Sequence, residues 1–415
     1  MTKNWENKKL GEMGTIFNGN SINARVKKSR YSNIKEELPY IATKDIDRDT
    51  HSIDYNNGIR IPFDEPGFKI AHKYATLICS EGGNAGRKIA YLENNVCFVN
   101  KLIATEVRET IYPKFLYYWY LSPAFSEQFF SQVFGIIGGI SIKNFRNLTI
   151  SFPPLSEQKR ITKILNEAFE KIAKAKENTE KNLQNARELF ESYLQVVFAN
   201  KDKGWDKKAL GDDNLIEIID GDRGKNYPTQ KDFLDEGHCL FMNTKNVRSN
   251  GFDFKTTMFI SKKKDMAMGK GKLKRNDVVM TTRGTIGNLG VYSDNVEYDN
   301  IRINSGMLIF RPNLKELLPE YLFEILRSGV IKEQIKKHVS GAAQPQLPIR
   351  TLVNFTFPFP KSLSEQRSIV NKLGALSAKT RKLEVIYQQK LADLEELKKT
   401  ILQEAFNGEL VGAQS

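Results

Sequence analysis

The chain is written twice, and that duplication restricts its fold more than any other feature. Trp5-Glu6-Asn7-Lys8-Lys9-Leu10-Gly11 returns as Trp205-Asp206-Lys207-Lys208-Ala209-Leu210-Gly211, at an offset of 200. Ala42-Thr43-Lys44-Asp45-Ile46 is echoed by Asn243-Thr244-Lys245-Asn246-Val247, and Gly83-Asn84-Ala85-Gly86 by Gly284-Thr285-Ile286-Gly287, both at 201. Leu155-Ser156-Glu157-Gln158 recurs as Leu363-Ser364-Glu365-Gln366 at 208, and Phe198-Ala199-Asn200 is mirrored by Phe406-Asn407-Gly408 at the same offset. The offset drifts through the first part of each half and is fixed afterwards. Insertions therefore belong to loops, whereas the last stretch of each half has a length that does not vary.

Both halves follow one plan. Short β-type runs such as Ala75–Cys79 and Asp277–Thr281, separated by glycine turns, describe a mixed α/β domain with mainly antiparallel strands. A helix opened by proline follows in each, from Pro113 to Tyr120 and from Pro319 to Leu326, since proline loses nothing in the first helical turn. The aromatic cluster Phe115 to Tyr120 is read as core packed on the sheet in preference to a base-stacking surface.

After Pro153-Pro154 and after Pro358 and Pro360, Ser156 and Ser364 are read as N-caps, with acids in the first helical turn. Apolar and small residues then recur at 3–4 spacing. The candidate seam positions are Ile161, Leu165, Ile172 and Leu189 in the first copy, and Ile369, Leu373, Leu376, Leu383 and Leu394 in the second. At ~1.5 Å per residue the first helix would span roughly 65 Å, too long to hide its stripe within one domain. The other copy is its natural partner, although Thr380 and Lys390 weaken the seam locally. The expected fold class is α+β: two mixed α/β domains related by internal duplication, separated by two long helices packing as an antiparallel coiled coil. The alternative is two helices each folded onto its own domain.

Composition narrows the function. Sixty-three Lys and Arg against 49 Asp and Glu leave a net charge of +14 on 415 residues. The excess is +5 in 1–150 and +6 in 201–360, while the helical stretches are nearly balanced. Two separate basic regions suit a polyanionic partner. No run resembles a membrane span or a signal peptide, and three scattered cysteines suit a reducing, cytoplasmic setting. Four isolated histidines give no metal-ligand spacing, so no metal is expected.

Two variable segments, each followed by a Pro-x-Leu-Ser-Glu-Gln-like motif and a long helix, resemble the specificity subunit of type I restriction-modification enzymes. The resemblance covers essentially the whole chain. Pro154-Leu155-Ser156-Glu157-Gln158-Lys159-Arg160-Ile161 and Ser362-Leu363-Ser364-Glu365-Gln366-Arg367 carry it most specifically, and the Trp-x-x-Lys-x-Leu-Gly openings support it. It implies target-recognition domains at 1–152 and 201–360, alternating with conserved-type helical spacers at 153–200 and 361–415. Each domain would read one half of a bipartite target in double-stranded DNA. The paired helices would hold the halves apart and dock two methyltransferase subunits, with restriction subunits completing the assembly. S-adenosylmethionine, ATP and Mg²⁺ would belong to those partners, leaving no cofactor on this chain. One departure is the extra residues of Phe359-Pro360-Lys361-Ser362, which would let the second spacer helix start at another angle.

Phosphate contacts need Lys and Arg, while base discrimination needs Arg, Lys, Asn or Gln at base edges. The DNA-contact candidates in the first half are Arg25, Lys27, Lys28 and Arg30 in a basic loop after Gly19, then Lys44, Arg87, Lys88 and Lys143. Those in the second are Arg223, Lys225 and Asn226 in a loop after Gly221, then Lys245, Lys263, Lys272, Arg283, Gln344 and Gln346. Lys262 to Arg275 holds seven bases against Asp265 alone, a density that suits phosphate contact as well as an exposed loop. Gly284-Thr285-Ile286-Gly287 lacks the Gly-Lys-Ser/Thr ending of a phosphate-binding loop and is read as a tight turn.

Catalytic motifs are missing from the sequence. Pro153-Pro154 is not embedded in the Asn/Asp-Pro-Pro-aromatic loop of a methyltransferase, and there is no P-loop. Glu6-Asn7-Lys8 and Glu396-Leu397-Lys398 match a fragment of a nuclease site without its upstream Pro-Asp. A non-enzymatic recognition subunit is thus the leading reading, ahead of a coiled-coil adaptor with protein-binding domains and of a self-sufficient nuclease.

Overall fold

The computed structural model describes residues 5–32, 37–135, 138–199, 204–249, 251–338 and 346–410. Two compact units emerge: residues 1–180 with 389–415, and residues 181–388. Each long helix, Leu155–Ala199 and Leu363–Asn407, is continuous over 45 residues and gives one portion to each unit.

In the first unit, Gly14–Asn18, Leu102–Val107, Thr76–Cys79 and Ile89–Tyr91 lie side by side in that order, every neighbour antiparallel. The second unit repeats this order with Ile216–Asp220, Met307–Pro312, Val278–Thr281 and Leu289–Val291. A second sheet in each unit contains one parallel pair, Leu38–Ile41 with Val96–Phe98 and Cys239–Met242 with Ile301–Ile303. The repeated sequence motifs meet in space. The strand after Trp5, Glu6–Lys9, pairs with Thr149–Phe152, and that after Trp205, Asp206–Ala209, with Thr356–Phe359.

Alternation along the strands divides each core in two, because successive side chains leave opposite faces. Leu77, Cys79, Leu102 and Ala104 pack toward the second sheet, while Ile16, Ile78 and Ile103 pack toward the helices. Helix Pro113–Tyr120 buries Phe115, Leu116, Tyr118, Trp119 and Tyr120, so its aromatic residues are core. Its counterpart Pro319–Arg327 buries Tyr321, Leu322, Ile325 and Leu326.

The spacer helices pack together and also complete the domain cores. Ile161 and Leu165 of the first share a buried cluster with Leu402, Ala405 and Phe406 of the second, and Phe406 meets Phe115 at 5.1 Å between ring centroids. Burying such Leu and Phe side chains stabilises by about 1.5–3 kcal/mol each. In the other unit Phe190, Leu194, Val197 and Phe198 join Ile369 and Leu373 in the corresponding cluster. The start of one helix thus lies with the end of the other, which makes them antiparallel. Neither is confined to its own domain.

Two readings of these helices need correction. Leu189 is not a buried seam residue: it is 50% exposed, and Ala186, Phe190, Leu194 and Val197 carry the buried phase instead. Thr380, the polar residue of the second seam, is buried with its Oγ1 donating to Ser377 O at 3.1 Å. Ser156 and Ser364 lie inside the first turn and are not the caps. The N-cap positions are Pro154 and Ser362: Ser362 Oγ accepts from Glu365 N at 3.5 Å, whereas Pro154 has no side-chain acceptor and takes only the first backbone bond of its helix, from Gln158 N at 3.0 Å. Of the remaining seam positions, Ile172, Leu376, Leu383 and Leu394 are half-buried.

The glutamine of the repeated Ser-Glu-Gln explains why this motif occurs twice. Gln158 is fully buried, its Oε1 accepting from Tyr112 N at 2.8 Å and its Nε2 donating to Thr110 O and Pro153 O. Gln366 is equally buried and does the same with Leu318 N, Glu316 O and Pro360 O. A planar amide offers one acceptor and two donors, and both copies use them to fasten the helix start to the loop before the proline-opened helix. The extra residues before Leu363 leave this clamp unchanged.

Two cross-helix ion pairs obey the duplication as well. Lys176 meets Glu395 at 2.7 Å, and Arg187 meets Glu384 at 3.3 Å. The 208-residue offset carries Lys176 onto Glu384 and Arg187 onto Glu395, so the same pair occurs once in each unit. Both cations sit on the first helix and both acids on the second.

Candidate nucleic-acid interface

The basic stretch after Gly19 is a helix, Ala24–Arg30, and not the loop expected from sequence. Asn23 caps it, accepting from Arg25 N at 2.9 Å. No residue of this helix is fully buried. Lys27 lies with its ammonium 4.5 Å from the centre of the Tyr40 ring, and Arg30 pairs with Glu65 at 2.8 Å. Burial lowers the Lys27 pKa, with Asp45 opposing and Lys44 reinforcing the shift. Arg25 and Lys28 are exposed and have no ion-pair partner among the described residues.

The repeated Thr-Lys motif is a small staple. Asp45 Oδ2 accepts from Ala42 N at 2.8 Å, and Asn246 Oδ1 accepts from Asn243 N at 3.0 Å. The buried Asp45 and Asn246 tighten two 3₁₀ turns, Thr43–Asp45 and Thr244–Asn246, from which Lys44 and Lys245 stand out into solvent. Arg87 is exposed on the neighbouring glycine turn, whereas Lys88 is spent internally, donating to Thr43 O at 2.8 Å. That bond sets the Arg87 turn beside Lys44. Both glycine turns are tight turns as expected: Gly86 has φ +66° and Gly287 φ +88°, a region that side-chain-bearing residues avoid.

In the second unit the loop of Arg223, Lys225 and Asn226 meets the lysine-rich segment around an open cavity of about 530 Å³, whose lining includes Lys270. Asp222, 7% exposed, staples the two segments by accepting from Gly224 N at 2.6 Å and Gly269 N at 2.7 Å. Burial pushes its carboxyl upward, and the amide donors outweigh that and hold it below the usual carboxylate range. Asn226 uses its Nδ2 on Ala267 O at 2.7 Å, so its amide bridges the loops. Arg223 leans on Asp220 at 3.1 Å, while Lys225 stays exposed without an ion pair among the described residues.

The lysine-rich segment is more ordered than a solvated loop. Asp265, only 2% exposed, pairs with Arg302 Nε at 2.5 Å and Lys272 Nζ at 2.5 Å. Arg302 also donates to Asp265 O, Met268 O and Lys270 O. Lys272 is therefore an internal ligand of Asp265 as well as a surface cation, and Lys263 faces solvent from the helix Lys262–Ala267.

Residues separated in sequence also meet at the last predicted site. Arg283, on the glycine turn, forms an isolated bridge with Gln346, and both side chains are exposed. The first unit has the equivalent bridge between Glu81 and Gly139, with exposed Lys143 on the short helix that follows. Gln344 lies outside the described residues. A larger cavity of about 930 Å³ in the first unit mixes Asp47, Asp49, Glu177 and Glu395 with Lys114, Lys176 and Lys398, a lining of both signs that does not select for a polyanion.

Comparison with known proteins agrees with this architecture. The family model for the type I restriction modification DNA specificity domain matches residues 2–184 and again 202–395. The chain belongs to this family and is a type I restriction-modification specificity subunit, the non-catalytic component of such a system. Curated relatives include the EcoBI specificity subunit of Escherichia coli, 24% identical over 98% of this chain and 86% of that one. Another is the MjaVIII specificity subunit of Methanocaldococcus jannaschii, 26% identical over 82% and 80%. The fold is shared with the HsdS subunit from Thermoanaerobacter tengcongensis, with a TM-score of 0.64 and 21% identity over 99% and 98% of the two chains. It is also shared with a chain from a structure described as the basis of complex assembly and conformational transition of the type I R-M system, with a TM-score of 0.79 and 19% identity over 99% of both. Among the described residues no helix is long and apolar enough to cross a membrane.

Proposed function

We propose that the chain reads a bipartite target in double-stranded DNA, the domain at 1–152 taking one half-site and that at 201–360 the other. The spacers at 153–200 and 361–415 set the gap in the target and dock two modification subunits, to which restriction subunits are added. S-adenosylmethionine, ATP and Mg²⁺ act on those partners, and the assembly works in the cytoplasm. One observation carries this reading: the sheet order, the Thr-Lys turn and the glycine turn are repeated, while the basic elements beside them differ. A capped helix bears Arg25 and Lys28 in one half, and a stapled turn bears Arg223 and Lys225 in the other. A repeated scaffold with unlike cationic elements suits two readers of two sequences.

Exchange of residues 1–152 for the equivalent domain of another family member tests it. Methylation by the reconstituted enzyme should change at one half-site and keep the other, and a change at both would refute independent readers. The adaptor alternative predicts no DNA affinity to titrate, whereas phosphate contact predicts a steep log-log fall with salt.

A further inference from the structure

The geometry points to helix Ala24–Arg30 as the element of the first half that enters the major groove, with Arg25 and Lys28 touching DNA and Lys27 and Arg30 acting as its anchors. This rests on the two-reader function proposed above and divides one basic cluster into two roles.

A seven-residue helix is too short to persist alone, so something outside it must hold it. At about 100° per residue, Arg25 and Lys28 lie about 60° apart on the helix surface, as do Lys27 and Arg30, and the two pairs face nearly opposite ways. The second pair is occupied. Lys27 covers the Tyr40 ring, and Arg30 pairs with Glu65, which also accepts from the hydroxyl of the buried Tyr31 at 3.1 Å. The first pair shares its side with exposed Ser29, and neither Arg25 nor Lys28 has an ion-pair partner among the described residues.

A charged helix lying on a domain with no fully buried residue contributes little core, which leaves its outer face for a partner. Four cations on a helix that carries no acid of its own fit a polyanion. The major groove of B-DNA is wide enough for an α-helix, and an arginine fork there matches the O6 and N7 acceptors of guanine. The second unit has the stapled turn Arg223–Asn226 at the equivalent place, so this device is specific to one half-site.

The test compares neighbouring lysines in the full-length chain assembled with its modification subunits, using a duplex that carries the methylated target and a salt titration of binding. Lys28→Met should lower the salt slope by about one unit, whereas Lys27→Met, whose side chain still covers Tyr40, should leave it unchanged. Arg25→Ala should weaken binding about ten- to hundred-fold and relax discrimination at a G·C pair of one half-site, with the other half-site intact. Equal losses for Lys27→Met and Lys28→Met, or none for Lys28→Met and Arg25→Ala, would overturn this assignment while the wild-type complex still selects its target. A wild-type complex without sequence preference would instead overturn the two-reader function.

Discussion

Replacing Arg302 with leucine tests whether the lysine-rich segment is a built element. The guanidinium is 7% exposed on its side chain and holds Asp265, itself 2% exposed. It also supplies the donors for three carbonyls at 2.6 to 3.1 Å. Arg302→Leu leaves the carboxylate with Lys272 at 2.5 Å and His238 at 3.6 Å, and strips those carbonyls. Removing one member of a buried pair typically costs about 3–5 kcal/mol, a large share of the roughly 5–15 kcal/mol that a folded domain has. The Asp265 pKa adds a sign: burial raises it, yet Lys272 and Arg302 outweigh burial and hold it below the ordinary value. Its stabilising effect is therefore present above about pH 4 and disappears as pH falls through the lower folded value. Urea unfolding followed together with limited trypsin digestion is the assay, because Lys262 to Arg275 supplies seven cleavage sites. The variant should lose stability in the second unit and become cleaved within that segment under native conditions. Removing both charges, in Asp265→Leu with Arg302→Leu, should do less harm than Arg302→Leu alone. A loss under about 1 kcal/mol with an unchanged digestion pattern would show that the segment is not held by this network.

Other expectations concern the spacers and acid stability. Gln158→Ala removes three buried hydrogen bonds and orphans Tyr112 N–H, for a loss of about 1–3 kcal/mol, and Gln366→Ala should cost a similar amount; negligible loss in thermal unfolding for either would refute the clamp. Lys176→Glu should weaken helix pairing by no more than about 1 kcal/mol because the pair is exposed, and adding Glu395→Lys should restore it; a double variant as unstable as the single one would deny the contact. Burial, with help from Lys398, pushes the His51 pKa down to about 4, so the fold keeps this imidazole neutral while the unfolded chain protonates it below about pH 6.5. Stability is then lost as pH falls from 6.5 toward 4, and His51→Gln should flatten that part of the profile; parallel profiles for variant and wild type would contradict the shift.

Much of this architecture was legible because duplication supplies its own control. The Trp-x-x-Lys strands, the proline-opened helices and the glycine turns each occur twice, so a chance match in one half is exposed by the other. Core aromatics such as Phe115 and Trp119 were legible as an aromatic run behind a helix-opening proline, read as packed on the sheet in preference to stacking on bases. Helix phase was harder: Leu189 and Phe190 are adjacent apolar residues, and only the domain core packed beneath the helix selects Phe190. Helix Ala24–Arg30 has no apolar stripe and depends on Tyr40 and Glu65, distant in sequence, so it read as a loop. Individual cations were the least legible. Lys88 and Lys272 look like Lys44 and Lys263 in sequence, yet Thr43 O and Asp265 take them inward. The role of Gln158 and Gln366 was visible only as a repeated letter, since the loop carbonyls they bind lie about fifty residues upstream.

Reading of methylated bases across a genome that carries this chain with its modification subunits tests the central claim most directly. Two short specified elements separated by a gap of fixed length and unconstrained sequence are predicted, with one element alone altered by Arg25→Ala. A single uninterrupted motif, or methylation without any motif, would contradict it.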